Sequence, residues 1–441
     1  MTANDTIFAL SSGAGRAAVS VIRVSGPACG PVLCSLIGRM PRPRELALRV
    51  VRHPHTGEQL DKALAVWLPA PGSFTGEDCA ELHLHGSNAV ISAVMAAMSD
   101  HPSVRPAEAG EFTRRAFLNG KLDLVEAEGL ADLLEARTAA QRRQALRQMS
   151  GEPSFTFDDW RHQLLLIRAD IEAVVDFADE PGVAEVAAAG IDSRIRDLVA
   201  QMTTAVARSA MGEAVRDGVH VVLAGLPNTG KSSLLNALAR RDAAIVSELP
   251  GTTRDTIEVS LDIRGIPVIL TDTAGLRKDV SDQVEREGVR RSELRMRDAD
   301  ILVWVWSRDV PGSATMVGEP SLVVQNKCDL ESGLLRNENT DEISLSTRSG
   351  IGIPEFIERL SAFLQRRFGD VESSLLVSAR QVAAVRNSIR LLNEALEIST
   401  ERLEIKAEEI RLASEEIGRL TGKVGVEEWL GAIFSRFCIG K

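Results

Sequence analysis

The 441-residue sequence predicts a multidomain α/β protein: an α+β N-terminal domain, a helical domain, and a P-loop nucleotide-binding domain inserted into the helical one. Three observations lead to this prediction. The first 118 residues mix β-branched runs with turn clusters. Apolar residues at helical spacing begin at Leu122 and return after residue 379. Between these helical parts, an apolar run leads directly into a glycine-rich loop.

The N-terminal region, residues 1–118, reads as alternating strands and turns. Its apolar runs Ala17–Val24 and Ala63–Leu68 are rich in valine, leucine and alanine, and the second ends in the turn cluster Pro69–Gly72. Such runs bounded by proline and glycine are typical of strands. We therefore predict an α+β domain here.

Helices follow. A first is predicted from Leu122 to Gly151, a second from about Ser154 to Phe177, and a third over roughly 191–212. A charge-laced helical stretch covers Ala379–Leu420. The two helical parts have a similar pattern of apolar and charged residues, and neither is sufficient to form a domain alone. We therefore predict one helical domain, residues 119–215 plus 371–441, interrupted by a domain at 216–370. A coiled coil over the last stretch is the alternative, although no strict heptad runs across several turns.

The inserted domain begins with a phosphate-binding motif. Gly225–Ser232 has the pattern G-x-x-x-x-G-K-S and directly follows the apolar run His220–Ala224. In such a loop the backbone N–H groups and the N-terminus of the next helix point at phosphates. Lys231 is expected to reach the terminal phosphates, and Ser232 to offer its hydroxyl to Mg²⁺.

Three further motifs follow in the order expected of a GTP site. Asp272–Gly275 comes after the apolar run Ile266–Leu270, and its carboxylate can hold Mg²⁺ through water. Gly251–Asp255 supplies a threonine that can complete the Mg²⁺ shell. Asn326–Asp329 follows a third apolar run, and a carboxylate there can accept from the N1–H and 2-amino group of guanine. The four motifs together predict that the chain binds GTP.

One connection in this domain is expected to differ from that of an ordinary doubly wound sheet. The run Ile301–Trp306 is predicted to be a central strand, and the next strand begins near Leu322. The residues between them contain two prolines and two glycines, which leaves little room for a crossover helix. We expect that helix to be short or absent.

Composition limits the remaining possibilities. No run approaches the roughly 18 to 20 apolar residues of a membrane span, and the first residues lack the pattern of a signal peptide, so a cytoplasmic location is expected. The five cysteines form no C-x-x-C pair, which argues against a zinc site or a disulfide framework. A net charge of −11 argues against a broad nucleic-acid surface, so we expect a partner to carry much of any contact with RNA.

The hydrolysis machinery differs from that of regulatory GTPases, in which a glutamine orients the attacking water. Leu276 stands directly after the Asp272–Gly275 motif and cannot do so, whereas an acidic stretch, Asp279–Glu287, lies just downstream. Asn228 could hold a monovalent cation between the phosphates. The alternative is that Asn228 is a turn residue chosen for its conformation, and the residue types alone leave both open. The carbonyls that could complete a cation cage belong to Ser247, Leu249 and Thr252.

At this point the sequence resembles a known family. The phosphate loop, Gly251–Asp255 and Asp272–Arg277 are similar to the TrmE–Era group of GTPases. The segment Phe437–Lys441 is typical of the MnmE (TrmE) family of tRNA modification GTPases within that group. Matching N-terminal stretches extend the resemblance over the whole chain: Asn4–Ile7, Phe74–Asp78 and Gly110–Asp123.

The resemblance implies a fold and an activity. The N-terminal domain would bind folate and dimerise, and the inserted domain would be a Ras-like G domain that hydrolyses GTP. The chain would be a homodimer that forms a heterotetramer with the FAD-dependent protein MnmG. Together the two proteins would install an aminomethyl-type group at C5 of the wobble uridine of certain tRNAs, using a folate one-carbon unit.

The resemblance also implies roles for residues. Arg23, Glu81, Lys121 and Lys441 would hold 5-formyl-tetrahydrofolate, with Glu81 accepting from the pterin and the cations facing the folate carboxylates. K⁺ would bind to Asn228, Ser247, Leu249 and Thr252, and Mg²⁺ to Ser232 and Thr253. The remaining nucleotide contacts are Thr229, Gly230, Lys231, Ser233, Glu248, Pro250, Gly251, Asp272, Thr273, Ala274, Gly275, Asn326, Lys327, Cys328, Asp329, Ser346, Thr347 and Arg348.

The catalytic roles of Glu285 and Cys438 each have an alternative. Glu285 matches the water-orienting glutamate of the family, but the segment before it is one residue longer than usual, which keeps Asp282 as the alternative. Cys438 belongs to the terminal motif and could act as a nucleophile or acid near the folate; it could also be a buried structural cysteine. His83 and His85 alternate on one strand face, where they would line the site or lie on the surface.

Two other functions compete with tRNA modification. One is an RNA-binding switch of the Era kind, which would need a basic module beside the G domain; the acidic C-terminal helices offer none. The other is a folate-sensing regulator with no catalysis beyond GTP hydrolysis.

Overall fold

The computed structural model describes residues 5–13, 15–176, 183–240, 244–245, 258–272, 299–316, 319–330, 342–369, 374–399, 402–425 and 427–441. The chain divides into two compact units. The first comprises Met1–Ala131, Gln148–Gln163 and Ser414–Lys441, and the second comprises Asp132–Arg147 and Leu164–Ala413. Among the described residues, no helix combines the length and the apolar character needed to cross a membrane.

The first unit is built on a six-stranded sheet of order β3-β4-β5-β2-β1-β6, in which only the β1–β6 pair is parallel. Its strands are β1 (Thr6–Leu10), β2 (Ala17–Ser25), β3 (Ala47–Arg52), β4 (Gln59–Leu68), β5 (Cys79–Gly86) and β6 (Val104–Pro106). The helices α1 (Cys29–Ile37) and α2 (Asn88–Ser99) cover one face, where Phe8, Ile22 and Leu82 are fully buried.

The opposite face of this sheet is covered only in part. At one end, Phe112 of α3 (Glu111–Leu118) packs with Ile7 and Ala9 of β1. Farther along, Val19 of β2 and Leu64 of β4 are 55% and 39% exposed. The sheet therefore presents an apolar surface beside the α3 end, which we call the open face.

The remaining α-helices of the described residues are α4 (Leu124–Glu135), α5 (Ala139–Met149), α6 (Glu152–Asp176), α7 (Val183–Ala207), α8 (Ser209–Asp217), α9 (Lys231–Ala239), α10 (Ile353–Phe368), α11 (Ala379–Glu397), α12 (Leu403–Thr421) and α13 (Glu427–Phe434). The helix predicted from Leu122 to Gly151 is wrong as a single element, because the chain breaks between α4 and α5. The Thr138 hydroxyl accepts from the Gln141 amide at 3.1 Å, and the Gln141 side chain accepts from the Thr138 amide at 3.1 Å. This capping box starts a new helix.

The predicted third helix, over 191–212, is likewise two helices, α7 and α8, which meet at Arg208. The second predicted helix, from Ser154 to Phe177, corresponds to α6 and starts two residues earlier. The C-terminal stretch predicted to be helical contains α11 and α12.

The second unit contains a seven-stranded sheet of order β13-β12-β11-β7-β10-β9-β8. Its strands are β7 (Val219–Ala224), β8 (Ala244–Ile245), β9 (Glu258–Ile263), β10 (Ile266–Asp272), β11 (Ile301–Trp306), β12 (Leu322–Gln325) and β13 (Glu342–Ser344). The pairs from β13 to β10 are parallel, whereas β8–β9 and β9–β10 are antiparallel. Helices α9 and α10 contribute Leu234 and Phe356 to its core. This doubly wound sheet confirms the predicted α/β class.

The connection between β11 and β12 contains turns and no helix in its described part, residues 307–316 and 319–321. This agrees with the expectation from its prolines and glycines. The Ser313 hydroxyl donates to the backbone carbonyls of Ser307 and Val310 and thereby closes a compact loop.

Candidate functional site

The phosphate loop joins β7 to α9 at the carboxyl edge of the second sheet. Gly225 and Gly230 have φ angles of 144° and 92°, which L side chains rarely adopt. A Cβ at Gly225 would lie 2.1 Å from the carbonyl oxygen of Val305, and one at Gly230 would lie 2.1 Å from the side chain of Asn326. The loop therefore needs both glycines in order to pass close to its neighbours.

Lys231 and Ser232 begin α9 beneath this loop. The Lys231 ammonium is nearly fully buried and donates to the carbonyls of Gly225 and Leu226, both at 2.9 Å. The Ser232 hydroxyl donates to the carboxylate of Asp272, the last residue of β10. A hydroxyl and a carboxylate in contact are the oxygen ligands that Mg²⁺ uses beside nucleotide phosphates, so these two residues fit the predicted metal.

The segment predicted to read guanine, Asn326–Asp329, is hydrogen-bonded directly to the phosphate loop. Asn326 is buried; its side-chain amide donates to the Thr229 carbonyl at 3.0 Å, and its side-chain oxygen accepts from the Thr347 amide at 3.2 Å. The Lys327 ammonium donates to the carbonyl of Asn228 at 2.8 Å. The structure thus brings three predicted segments together at one end of the sheet.

The other guanine-side residues lie close by. Cys328 donates its amide to the Leu345 carbonyl at 3.1 Å, and it begins the 3₁₀ turn Cys328–Leu330, on which Asp329 is exposed. Ser346 is buried and accepts from the Ser349 amide at 3.2 Å, while Arg348 is exposed.

Several predicted nucleotide residues lie outside the described residues: Ser247, Glu248, Leu249, Pro250, Gly251, Thr252, Thr253, Thr273, Ala274, Gly275, Asp282 and Glu285. Within the described part, sequence reasoning missed Asp309. Its carboxylate accepts from the Lys327 ammonium at 2.7 Å and from the Ser307 hydroxyl, which lowers its pKa. Since Asp309 stands in an irregular turn, no sequence signal marks it.

A second polar cluster lies on the first sheet, where Arg23 of β2 is paired in register with Glu81 of β5. The Arg23 Nε and Nη2 atoms both donate to Glu81 Oε1, at 3.0 and 2.9 Å. The guanidinium carbon of Arg23 also lies 5.3 Å and 5.8 Å from the ring centres of Phe74 and Phe112. This packing orients the cation, while the second carboxylate oxygen, Glu81 Oε2, lies 3.3 Å from His83 Nε2.

The C-terminal segment reaches the same cluster. Ile439 pairs with Ala109, and the carbonyl of Gly440 accepts from the Ser11 hydroxyl at 2.9 Å. The pKa of Lys441 lies below its ordinary value because of burial first and then the positive charge of Arg23; Cys438 and Glu81 oppose this shift. Lys441 therefore lies within electrostatic reach of Arg23, Glu81 and Cys438.

Lys121, another predicted member of this site, is bonded to the loop that carries Phe74. The Lys121 ammonium donates to the Pro71 carbonyl at 3.1 Å; of the described residues, neither Glu81 nor Lys441 is its hydrogen-bond partner. Cys438 is exposed, so the interpretation as a buried structural cysteine is wrong.

The two histidines of β5 have different surroundings. His83 Nε2 lies 3.3 Å from Glu81 Oε2, so His83 lines the cluster. The His85 ring lies 2.8 Å from the Asp61 carboxylate, and its side chain is 73% exposed, so it is a surface residue.

A charge network supports the loop that carries Phe74. Arg115 of α3 lies 3.2 Å from Glu77 and 3.0 Å from Glu111, and Arg105 also pairs with Glu111. Burial would raise the pKa of Glu111, but hydrogen bonds from Arg105, the Glu108 amide and Arg115 outweigh it, and the pKa falls. The carboxylate stays ionised and anchors α3 beside the cluster.

The fold and the phosphate loop define a P-loop GTPase with a second polar site on a separate sheet. Residues 6–121 match the family described as GTP-binding protein TrmE N-terminus, and residues 124–438 match the MnmE helical domain. The chain therefore belongs to the MnmE family of tRNA modification GTPases.

Similar proteins extend over the full length. The chain is 45% identical over 450 residues to the tRNA modification GTPase MnmE of Methylobacterium radiotolerans, covering 100% of both chains. It is 47% identical over 444 residues to the protein of that name from Methylobacterium sp. strain 4-46, covering 99% of this chain and 100% of that one. A protein of Danio rerio, the mitochondrial 5-taurinomethyluridine-[tRNA] synthase subunit GTPB3, is 44% identical over 468 residues, covering 99% of this chain and 93% of its own.

Proposed function

We propose that this chain hydrolyses GTP in a K⁺-dependent manner and, with the FAD-dependent protein MnmG, installs an aminomethyl-type group at C5 of the wobble uridine of certain tRNAs. The observation that carries the proposal is the presence of two separate sites in one chain. One is a phosphate loop bonded to Asn326, the first residue of the motif predicted to read guanine. The other is the cluster of Arg23, Glu81 and Lys441, which suits a folate. The names of the relatives support the same activity.

In the nucleotide site, Ser232 and Thr253 would bind Mg²⁺ directly, and Asp272 would bind it through a water molecule. Asn228 would hold K⁺ together with Ser247, Leu249 and Thr252, and that cation would neutralise charge that an arginine finger supplies in other GTPases. Asn228 has a φ of 64°, and its carbonyl is fixed by Lys327. This positive φ also fits the interpretation of Asn228 as a turn residue, and the bond from Lys327 fixes the backbone of the loop at this position.

The K⁺ proposal is tested by comparing turnover in KCl and NaCl at one ionic strength. We expect stimulation by K⁺ only, since Na⁺ is too small for a cage of carbonyl oxygens, and we expect Asn228→Ala to lose that stimulation. Equal rates in the two salts would contradict the proposal.

Glu285 would orient the attacking water. Glu285→Ala should keep GTP affinity and lose turnover, because the residue touches no ground-state phosphate. If Asp282→Ala shows that profile instead, the water-orienting role belongs to Asp282.

In the second site, Glu81 would accept from the pterin of 5-formyl-tetrahydrofolate, and Arg23, Lys121 and Lys441 would face its carboxylates. A planar guanidinium and an ammonium are suited to carboxylates, and the Glu81 oxygen that Arg23 does not use, Oε2, lies 3.3 Å from His83 Nε2. Cys438 would serve a chemical step beside the folate, which fits its exposure.

The whole proposal is tested in a strain that lacks this chain, with wobble uridines measured by mass spectrometry. The full chain should restore the modification. Cys438→Ser should bind folate and fail to modify tRNA, whereas a chain that stops at Arg436 should hydrolyse GTP but bind folate weakly. Full complementation by Cys438→Ser would show that the thiol has no chemical role.

We further propose that the chain is a cytoplasmic homodimer, joined through its N-terminal domain, that forms a heterotetramer with MnmG. The domains would be residues 1–118, residues 119–215 plus 371–441, and residues 216–370. The exposed Val19 and Leu64 on the open face support self-association. Light scattering of the parent chain and of Leu64→Lys tests this: the variant should shift toward the monomer.

A further inference from the structure

An arginine-rich ribbon runs along one edge of the first sheet. Residues 38–52 contain five arginines and one glutamate, a net charge of +4, in a chain whose overall charge is −11. The arginines are Arg39, Arg42, Arg44, Arg49 and Arg52. Two of them lie on β3, the edge strand, which pairs only with β4; the others lie between α1 and β3. We call this set the arginine ribbon.

The positive charge of the ribbon is largely uncompensated. Among the described residues, the single carboxylate within salt-bridge distance is Glu45, 4.0 Å from an Arg42 side chain that is itself 84% exposed. Elsewhere the arginines meet backbone carbonyls: Arg49 donates to Arg39 at 3.2 Å, and Arg52 donates to Gly57 at 3.0 Å. A carbonyl orients a guanidinium without neutralising it, because it carries no net charge.

This arrangement contrasts with that of two arginines on helices. Arg390 lies 2.7 Å from Glu394, and Arg411 lies 2.8 Å from Glu408, each within one helical turn. Those charges are balanced locally. Among the described residues, Arg49 and Arg52 are oriented by carbonyls and have no carboxylate within salt-bridge distance, so they remain available to an anion.

Charged side chains also protect edge strands from pairing with other chains. That role needs one or two charges on the strand itself. Here Arg39, Arg42 and Arg44 precede β3, so three of the five arginines lie outside the edge strand itself. Edge protection does not account for them.

We propose that the arginine ribbon is the surface on which this chain contacts the phosphate backbone of tRNA. The inference rests on the proposed function, in which tRNA is the substrate. Planar guanidinium groups bind phosphates in a two-pronged manner, and carbonyl-oriented side chains lose less freedom on binding. The strand alone extends about 20 Å at about 3.3 Å per residue, enough for several successive phosphates. In an acidic protein, such a local strip directs a polyanion to one face.

The test measures binding of a labelled, unmodified tRNA transcript to the full chain by fluorescence anisotropy over a series of KCl concentrations. The variant replaces Arg39, Arg42 and Arg52 by glutamine, which keeps length and hydrogen-bonding capacity. Loss of three phosphate contacts should reduce the slope of log affinity against log salt by about 2 to 3. Affinity at low salt should fall by about tenfold or more.

Two matched variants separate charge from fold. Lysine at the same three positions keeps the charge and should retain most of the salt slope. Glutamine at Arg390, Arg411 and Arg419 removes the same charge from arginines that are paired with glutamates. That control should bind tRNA like the parent chain, and GTP turnover should be equal in all variants.

The outcomes are distinct. If the parent chain binds and modifies tRNA but the ribbon variant keeps its affinity and slope, the inference is overturned while the proposed function stands. If the ribbon variant instead loses only its association with the flavoprotein partner, the ribbon is a protein-binding surface and the inference is again overturned. If the parent chain neither binds nor modifies tRNA, the proposed function itself is refuted, and this inference with it.

Discussion

Substitution of Glu81 by glutamine addresses the polar cluster on the first sheet most directly. Glu81 Oε1 already accepts two hydrogen bonds from Arg23, so a folate would use Oε2, which lies 3.3 Å from His83 Nε2. Glutamine keeps the shape but places an N–H₂ group at one of the two positions. At least one charge-assisted hydrogen bond is then lost.

The magnitude follows from the number of bonds. A hydrogen bond to a charged group contributes about 1.5–3 kcal/mol, and each 1.4 kcal/mol is about tenfold in affinity. We therefore expect Glu81→Gln to weaken 5-formyl-tetrahydrofolate binding by about 10- to 150-fold. Titration calorimetry measures this affinity, and GTP turnover should stay at the parent level.

A matched control exists on the neighbouring strand. Asp61 of β4 is a nearly buried carboxylate, 2.8 Å from a ring nitrogen of His85, and thus has a similar histidine partner away from the cluster. Asp61→Asn should bind folate as the parent chain does. The reasoning is refuted if Glu81→Gln binds folate as tightly as the parent chain, or if Asp61→Asn loses as much affinity.

Two further predictions concern the nucleotide site and stability. Asp309→Ala removes the carboxylate that holds Lys327 and should weaken GTP binding by up to about fivefold, the range of an exposed ion pair. Displacement of a fluorescent GDP measures this affinity. Unchanged affinity would show that GTP binding does not need Asp309. Burial raises the pKa of Asp123, so ionising this carboxyl costs stability; the cost grows as the pH rises above the ordinary pKa of an aspartate and is complete above the raised pKa. Asp123→Asn keeps the hydrogen bond from the Glu126 amide and should therefore raise the melting temperature at neutral pH. The gain in melting temperature should shrink as the pH falls toward 4. A gain that does not depend on pH would contradict this prediction.

Much of the second unit could be predicted because its motifs carry their own geometry. A strand, a glycine loop and a helix follow one another locally, so Gly225, Lys231 and Ser232 lie where their spacing requires. Asn326 lies far along the chain, but parallel strands end at a common edge, and this brings it to the loop.

The break between α4 and α5 shows where apolar spacing fails. Apolar residues keep helical spacing across 136–138, whereas the break depends on one reciprocal pair, Thr138 and Gln141. Apolar periodicity predicts one continuous helix here, whereas the capping pair starts a new one.

The charge partners of the candidate sites were equally hard to foresee. Asp309 meets Lys327 because the turns at 307–316 fold back toward the segment that begins at Asn326. The arginine ribbon was hidden by the overall charge of −11, which averages over the whole chain. A net charge does not describe a local surface.

The core that joins α4 to α13 has a consequence for how the protein is made. Leu124, Ala127 and Ala131 are buried against Leu430 and Phe434, and roughly 300 residues separate the two groups. At about 5–20 residues per second, the ribosome takes roughly 15 to 60 s to synthesise the second group after the first. Throughout that interval the apolar face of α4 lacks its native cover. The nascent chain therefore exposes an apolar helix face while the G domain is translated. We expect a chaperone at the ribosome exit to bind this segment.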